Sequence, residues 1–461
     1  MYDFDLLCIG SGPAGQRAAV QAAKLGKRVA VVEKRRIVGG VCVDGGTIPS
    51  KTFREAVLAT AAPGERASQD WDLGSRPTAE SLLARVTDVM RRESVVVENQ
   101  LRRNGVTLLR GHASFTDAHT MVVASEKGTR TVSAACILIA VGSRPAPPPG
   151  VPADGEVILT SDSVAELKAL PRSMTVVGAG VIGIEYASIF AALDIAVTVV
   201  DKRERPLEFL DQEIMDELLH QMRNRTVTFR LGEAVSRLEI AGGGERRAVI
   251  LLESGKRLVS DMVLFSVGRL ADTGRLNPEA AGLVCDERGR IPVDKQFRTQ
   301  VSHIYAAGDV VGYPSLAATS SEQGRLAACN AFGVEARPMP GHFPIGIYSI
   351  PEISMVGETE HDLTAARVPY ETGVARYREI ARGQILGDDS GLFKMLFQRE
   401  DRRLLGVHII GTAATELVHI GQAVLALGGG LEYFLQTVFN YPTLAECYKV
   451  AALNAANKLS R

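Results

Sequence analysis

The sequence predicts an α/β protein in which a unit of strand, glycine turn, helix and strand occurs twice, with an α+β region at the C-terminal end. Three observations carry this. An apolar run at residues 4–9, FDLLCI, leads into GSGPAG at 10–15, then a helical stretch, then the apolar run RVAVVE ending at Glu33. The same order recurs from Met174: MTVV, GAGVIG at 178–183, IEYASIFAAL, and AVTVV ending at Asp201. After RPMPGH at 337–342 the pattern changes to alternating strands such as FKMLF and VHII, between helical runs TELVHIGQAVLAL and AECYKVAALNAANKL.

Bulk properties narrow the function classes. At 461 residues the chain has room for several domains, about 150 residues each. Its 52 basic and 53 acidic side chains leave a net charge of -1, which gives no electrostatic footprint for nucleic acid. No run approaches the roughly 20 apolar residues of a membrane span. The six cysteines, at 8, 42, 136, 285, 329 and 447, form no CxxC and no metal-ligand spacing. The N-terminus enters its first strand without a basic or Arg-rich leader, so the reading expects a cytoplasmic protein with reduced thiols and no resident metal.

The glycine units carry chemistry. In the first, Gly10 permits the tight turn, Gly12 lets backbone approach a pyrophosphate, and Gly15 lets the helix pack on the strand. Gly178, Gly180 and Gly183 repeat these roles. Each helix N-terminus offers unpaired N–H groups to an anion. In both copies eighteen residues separate the third glycine from the acid, Gly15 to Glu33 and Gly183 to Asp201. These are Rossmann-like dinucleotide-binding units, and two in one chain imply a nicotinamide and a flavin exchanging hydride. Asp201 suits the free 2'-hydroxyl of NAD, whereas Lys202, Arg203 and Arg205 suit the 2'-phosphate of NADP. The turn DKRER therefore reads as a pocket for both nucleotides, or as a solvated charged turn.

The pattern GSGPAG, a cysteine loop ending in IPSK, AVGSRP at 140–145, GAGVIGIE and AAGDV at 306–310 resembles the pyridine nucleotide-disulfide oxidoreductases, the family of dihydrolipoamide dehydrogenase and glutathione reductase. The likeness runs along the whole chain. It implies an FAD-binding domain from residues 1–150 and 270–340, an inserted NAD(P)-binding domain at 151–269, and a dimerisation domain at 341–461. It also implies Glu33 on the adenosine ribose, Asp309 on the flavin ribitol, and Lys51 near flavin N5, paired with Glu185. Gly40, Cys42, Gly142, Ala317 and Gly268 complete the cofactor-binding set. The segment after Asp309 reads as a helix whose N-terminus faces the flavin.

Two departures from the family pattern decide the reaction. Disulfide reductases carry a second cysteine five residues after the first, where this chain has Thr47. They also place a histidine before the C-terminal Pro-Thr, where this chain has Tyr441 ahead of Pro442, Thr443 and Glu446. Disulfide reduction needs an attacking thiol, a resolving thiol and a base. Lacking two of these, the chain reads as passing hydride from NADPH to NAD in a ping-pong sequence through reduced FAD. The resemblance of CVDGGTIPSK, FLDQE and FNYPTLAE to transhydrogenating members of the family agrees. Lys51, Glu185, Thr47 and Tyr441 are the candidate reaction-site residues, with Cys42 read as structural. Other readings are an NAD(P)H oxidase or quinone reductase, and a non-catalytic sensor of nucleotide ratio. The expected partners are NAD(H), NADP(H) and further copies of the chain, as a homodimer or larger homo-oligomer.

Between the two units, residues 78–105 read as an amphipathic helix with Leu82, Val86, Val89, Val96 and Leu101 on one face. The proline-rich RPAPPPGVP at 144–152 reads as a stiff crossover, with a return near 268–273. His408 and His419 read as core or interface residues.

Overall fold

The computed structural model describes residues 1–60, 77–150, 152–242 and 246–460. The chain divides into two compact units: Met1–Pro148 with Ala153–Leu170 and Val267–Met339, and Pro149–Pro152 with Pro171–Ser266 and Pro340–Arg461. The expected boundary residue 151 lies outside the described residues. In this grouping residues 153–170, expected with the second domain, belong to the first unit. Residues 171–266 share a unit with 340–461 instead of standing apart.

In the first unit the sheet runs Thr107–Arg110, Val29–Glu33, Phe4–Ile9, Gly128–Ile139, Thr120–Ser125, His112–Phe115. Its long strand Gly128–Ile139 serves two partners. The first half pairs antiparallel with Thr120–Ser125, and the second half lies parallel to Phe4–Ile9, with Leu7 opposite Ile137 and Cys8 opposite Leu138. Ile304–Ala306 joins the same strand in parallel, Tyr305 opposite Leu138. The central strands are apolar on both faces because both are covered, one by the helices Pro13–Lys24, Ala79–Arg103 and Ala317–Ala331 and the other by the strands His112–Phe115 and Thr120–Ser125. Leu7 and Ile137 face one core and Cys8 and Leu138 the other, all at most 1% exposed.

The helix expected between the two units is Ala79–Arg103. Thr78 caps it by accepting from Ser81 N, and the Ser81 side chain returns a bond to Thr78 N. Its buried face contains Leu82, Leu83, Val86, Val97 and Leu101. Val96, expected on that face, is 55% exposed. At 100° per residue, Val96 stands about 140° around the helix from Leu101, whereas Val97 stands within about 40°.

The second unit holds a parallel sheet with Thr228–Leu231, Ala196–Asp201, Ser173–Val177 and Met262–Phe265 in that order. Its C-terminal part is a five-stranded antiparallel sheet, Ile345–Ile347, Ile353–Gly357, Leu404–Ile410, Leu392–Gln398 and Tyr370–Arg376. The helices Ala414–Ala426 and Glu446–Leu459 pack on it through a core that includes Phe393, Phe397, Phe434 and Tyr448. Polar bonds explain why 171–266 and 340–461 form one unit. Glu185 accepts from Tyr348 N at 2.8 Å, and Ser188 Oγ from Ile350 N at 2.9 Å. Lys394, fully buried, donates to Asp211 at 3.0 Å, to Glu213 at 2.7 Å and to Glu360. Beside it on the next strand is His408, paired in register with Lys394 and donating from Nε2 to Glu358 O at 2.8 Å. No helix among the described residues is long and apolar enough to cross a membrane.

Removing one partner of a buried charge cluster leaves the others uncompensated. Lys394→Met is expected to cost about 3–5 kcal/mol in denaturant unfolding, and a loss under about 1 kcal/mol would show that the carboxylates relax into water. Burial holds the His408 imidazole below its ordinary pKa, against the opposing pull of Asp211. The unfolded chain then binds the extra proton, so stability should fall as pH drops below about 6.5. A His408→Gln variant should lack that part of the slope in unfolding curves taken from pH 8 to 5.

Candidate functional site

The two glycine turns are close copies in space as well as in sequence. A Cβ on Gly15 would lie 1.9 Å from Gly10 O, and one on Gly183 would lie 1.8 Å from Gly178 O. Both first glycines have positive φ, +105° at Gly10 and +103° at Gly178. Only glycine permits that turn and that contact together. The helices that follow, Pro13–Lys24 and Val181–Ala191, begin at Gly12 and Gly180 with no side-chain cap. Their first N–H groups are therefore left for an anion.

In each copy the distant acid folds back onto its own turn. Glu33, 3% exposed, accepts from Ser11 N at 3.0 Å and Ser11 Oγ at 2.5 Å through Oε2, and from Arg35 N at 2.7 Å through Oε1. Asp201 accepts from Ala179 N at 2.6 Å. Both acids thus take a backbone N–H from the residue after the first glycine. Sequence spacing signalled the acid but not this bond.

Around the first turn, Gly40 lies so close that its Cβ would sit 2.8 Å from Gly12 Cα. Gly39 N donates to Ser11 Oγ at 2.9 Å. The cysteine loop is thereby held against the pyrophosphate turn, and Arg35 clamps its far side through Asp44 at 2.7 Å. Cys42 sits in the short helix Gly40–Asp44 and Thr47 opens the helix Thr47–Thr60. Cys42 is half-buried and Thr47 is exposed. Burial pushes the Cys42 thiol above its ordinary pKa, and the Thr47 hydroxyl only partly offsets this. That direction disfavours the thiolate.

Lys51 lies one turn along the Thr47–Thr60 helix, half-buried, 3.3 Å from Ser50 Oγ. Asp309 opens a short turn, Asp309–Val311, and accepts from Ser143 Oγ at 2.7 Å. The helix beyond it, Ala317–Ala331, has no side-chain cap and crosses Pro13–Lys24 closely, since a Cβ on Gly324 would meet Ala14 O at 2.1 Å. Gly142 and Gly268 have positive φ, and nothing lies within 4 Å of where their Cβ atoms would be.

Glu185 lies in the second unit, 4% exposed on Val181–Ala191. Arg203 is folded onto Asp201, with Nε 3.0 Å from Oδ1 and Nη2 2.7 Å from Oδ2. Burial raises the Asp201 pKa, but the bonds from Arg203 and Ala179 outweigh it and hold the carboxyl below its usual range. Lys202 and Arg205 are exposed. Of the three cations expected to hold a 2'-phosphate, one is thus held by the acid. Tyr441 is 73% exposed, and Glu446, five residues on, has a buried Oε2 with no partner among the described residues.

The chain belongs to the pyridine nucleotide-disulphide oxidoreductase family: the family's main model matches residues 4–324, and its dimerisation domain matches 343–452. The family is FAD-dependent and acts on pyridine nucleotides. Among its relatives, the soluble pyridine nucleotide transhydrogenase of Mycobacterium bovis is 53% identical, the match covering 100% of this chain and 98% of the relative. The protein of the same name from Vibrio vulnificus is 44% identical over 99% and 98%. Two solved structures share the fold. LpdA from Mycobacterium tuberculosis has a TM-score of 0.89 at 27% identity, covering 97% of this chain and 99% of its own. The HOCl-induced flavoprotein disulfide reductase RclA from Escherichia coli has 0.87 at 25%, covering 97% and 99%. The first unit fits FAD, since its glycine turn and two uncapped helix N-termini can take a diphosphate and Glu33 and Asp309 can accept from hydroxyls.

Asp201→Ala should impair NAD use more than NADP use, because it removes the hydroxyl acceptor and frees the Arg203 fork. The KM for NAD is expected to rise about tenfold, the scale of one charge-assisted bond, with a smaller change for NADP. Equal losses would mean that DKRER is only a solvated turn.

Proposed function

We propose that the protein is a soluble transhydrogenase that exchanges hydride between NADPH and NAD, giving NADP and NADH, in a ping-pong sequence. The observation that carries this reading is the pair of residues at 42 and 47: where a disulfide reductase has two thiols, this chain has one half-buried thiol and a hydroxyl. A hydroxyl cannot form or resolve a disulfide. Tyr441 in place of the histidine removes the thiol base as well. The names of the Mycobacterium bovis and Vibrio vulnificus relatives support the same reaction.

When bound, FAD supplies a two-electron relay between successive nicotinamides. Chain residues do the rest. The bare N-termini of Pro13–Lys24 and Val181–Ala191 bind the two diphosphates. Glu33 and Asp309 orient the flavin nucleotide through its hydroxyls. Lys51 holds positive charge at the flavin ring, with Glu185 as the carboxylate that the family pattern pairs with it. Asp201 receives the ribose of NAD, and Arg203 with Lys202 and Arg205 receives the 2'-phosphate of NADP. Thr47 closes the loop over the site without offering a second thiol.

A homodimer through residues 341–461 completes the proposal. The dimerisation-domain match supports it, as do exposed apolar side chains there: Leu427 at 87%, Val438 at 93% and Tyr441 at 73%. The six cysteines are unpaired, which suits a reducing cytoplasm.

Anaerobic assay of the purified protein with NADPH and an NAD analogue should give hydride exchange with parallel double-reciprocal plots, and negligible reduction of lipoamide or glutathione disulfide. Disulfide turnover, or NADH consumption only in oxygen or with a quinone, would sink the reading, and no turnover at all would favour a sensor. Cys42→Ser should leave exchange within about threefold of the parent, because a lone thiol that resists ionisation takes no part in the transfer. Light scattering should give at least two copies per particle.

A further inference from the structure

Asp309 ends a chain of hydrogen bonds that begins at a guanidinium. The strands Ser143–Pro145 and Arg269–Ala271 pair antiparallel, with Arg269 opposite Pro145 and Ala271 opposite Ser143. They flank the points where the chain leaves the first unit and re-enters it. Arg269 reaches across this ladder, its Nε donating to Ser143 Oγ at 2.8 Å and its Nη2 to Ser143 O at 2.9 Å. Its Nη1 donates to Asp162 Oδ1 at 3.0 Å and Ser161 Oγ at 3.2 Å. Ser143 Oγ then donates to Asp309 Oδ2 at 2.7 Å. Ser143 and Ser161 are buried, 6% and 7% exposed.

The direction of this chain is fixed by chemistry. A guanidinium has only donors, so Ser143 Oγ must accept from Arg269, and its single hydrogen is left for Asp309. Oδ2 of Asp309 accepts that hydrogen, which orients the carboxylate and leaves Oδ1 and the second lone pair of Oδ2 for an incoming hydroxyl. The link to Asp309 passes through a neutral hydroxyl, which orients the carboxylate without setting a cation against it; Arg269 pairs instead with Asp162. Asp162 in turn adjoins the cysteine loop, since a Cβ on Gly45 would lie 3.5 Å from its carboxyl carbon.

We propose that Ser143 and Arg269 are positioning residues for FAD, acting through Asp309, and that Arg269 sets the orientation of the Ser143 hydroxyl. The inference rests on Asp309 as a ligand of the flavin nucleotide. It goes beyond that reading because Arg269 is assigned an effect on the cofactor through Ser143 and Asp309.

The test follows FAD release from the diluted holoenzyme by the rise of free-flavin fluorescence, with thermal unfolding at saturating FAD as a control. Asp309→Asn should speed release about tenfold or more, and no change there would overturn the ligand reading and the inference with it. Ser143→Ala and Arg269→Lys should each speed release about tenfold, while Ser143→Thr, which keeps the hydroxyl, stays within about twofold. In the Asp309→Asn background Ser143→Ala and Arg269→Lys should add little, because all three act on one bond chain. If Asp309→Asn speeds release but Ser143→Ala does not, or if the two effects multiply independently, positioning through Ser143 is refuted while Asp309 keeps its role. A loss of thermal stability matching the loss of FAD in Ser143→Ala would equally refute it in favour of a purely structural bond.

Discussion

The contact of the third glycine with the carbonyl of the first, made once at Gly15 and Gly10 and again at Gly183 and Gly178, is the constraint on which the rest is built. At under 2 Å from a would-be Cβ, no other residue fits. That closeness seats the helix directly on the end of the strand, so its first N–H groups point out beyond the sheet with no side chain to satisfy them. The acid eighteen residues on then closes the unit by accepting from the turn's backbone. Strand, turn, helix and second strand become one closely packed unit, and the chain makes it twice.

A second constraint is local to the loop at residues 38–51. Gly39 and Gly40 press it onto the first glycine turn, and the Arg35–Asp44 pair holds its other side. Within that frame stand one thiol, Cys42, and one hydroxyl, Thr47. Partial burial pushes the thiol up, because a desolvated thiol resists ionisation. The chain keeps the fold of its family, and on the reading proposed above the hydride leaves by the nucleotide site through which it entered.

Buried charge does different work in the second unit. Lys394 bonds Asp211, Glu213 and Glu360, and the cluster ties the N-terminus of Gln212–Asn224 to the antiparallel sheet. A buried ion pair such as Lys394 with Asp211 adds little net stability compared with apolar packing, whereas losing one partner is costly. At the end of the strand Ala196–Asp201, Arg203 lies on Asp201, so one short turn holds a carboxylate acceptor and a guanidinium donor side by side.

The glycine pattern, its spacing to Glu33 and Asp201, and the replacements at Thr47 and Tyr441 were legible in the sequence. Each is a local requirement: a φ only glycine adopts, a contact only hydrogen fits, or a side chain whose chemistry is fixed by its type. The periodic face of Ala79–Arg103 was legible except at Val96, where one residue of slip changes which side chain meets the core. Other features depended on residues far apart in the chain. Asp309, Ser143, Arg269 and Asp162 carry no shared spacing, and neither do Lys394, Asp211 and Glu360. Only the tertiary structure decided these, because a buried polar group takes whichever partner the packing of distant strands brings within hydrogen-bond reach.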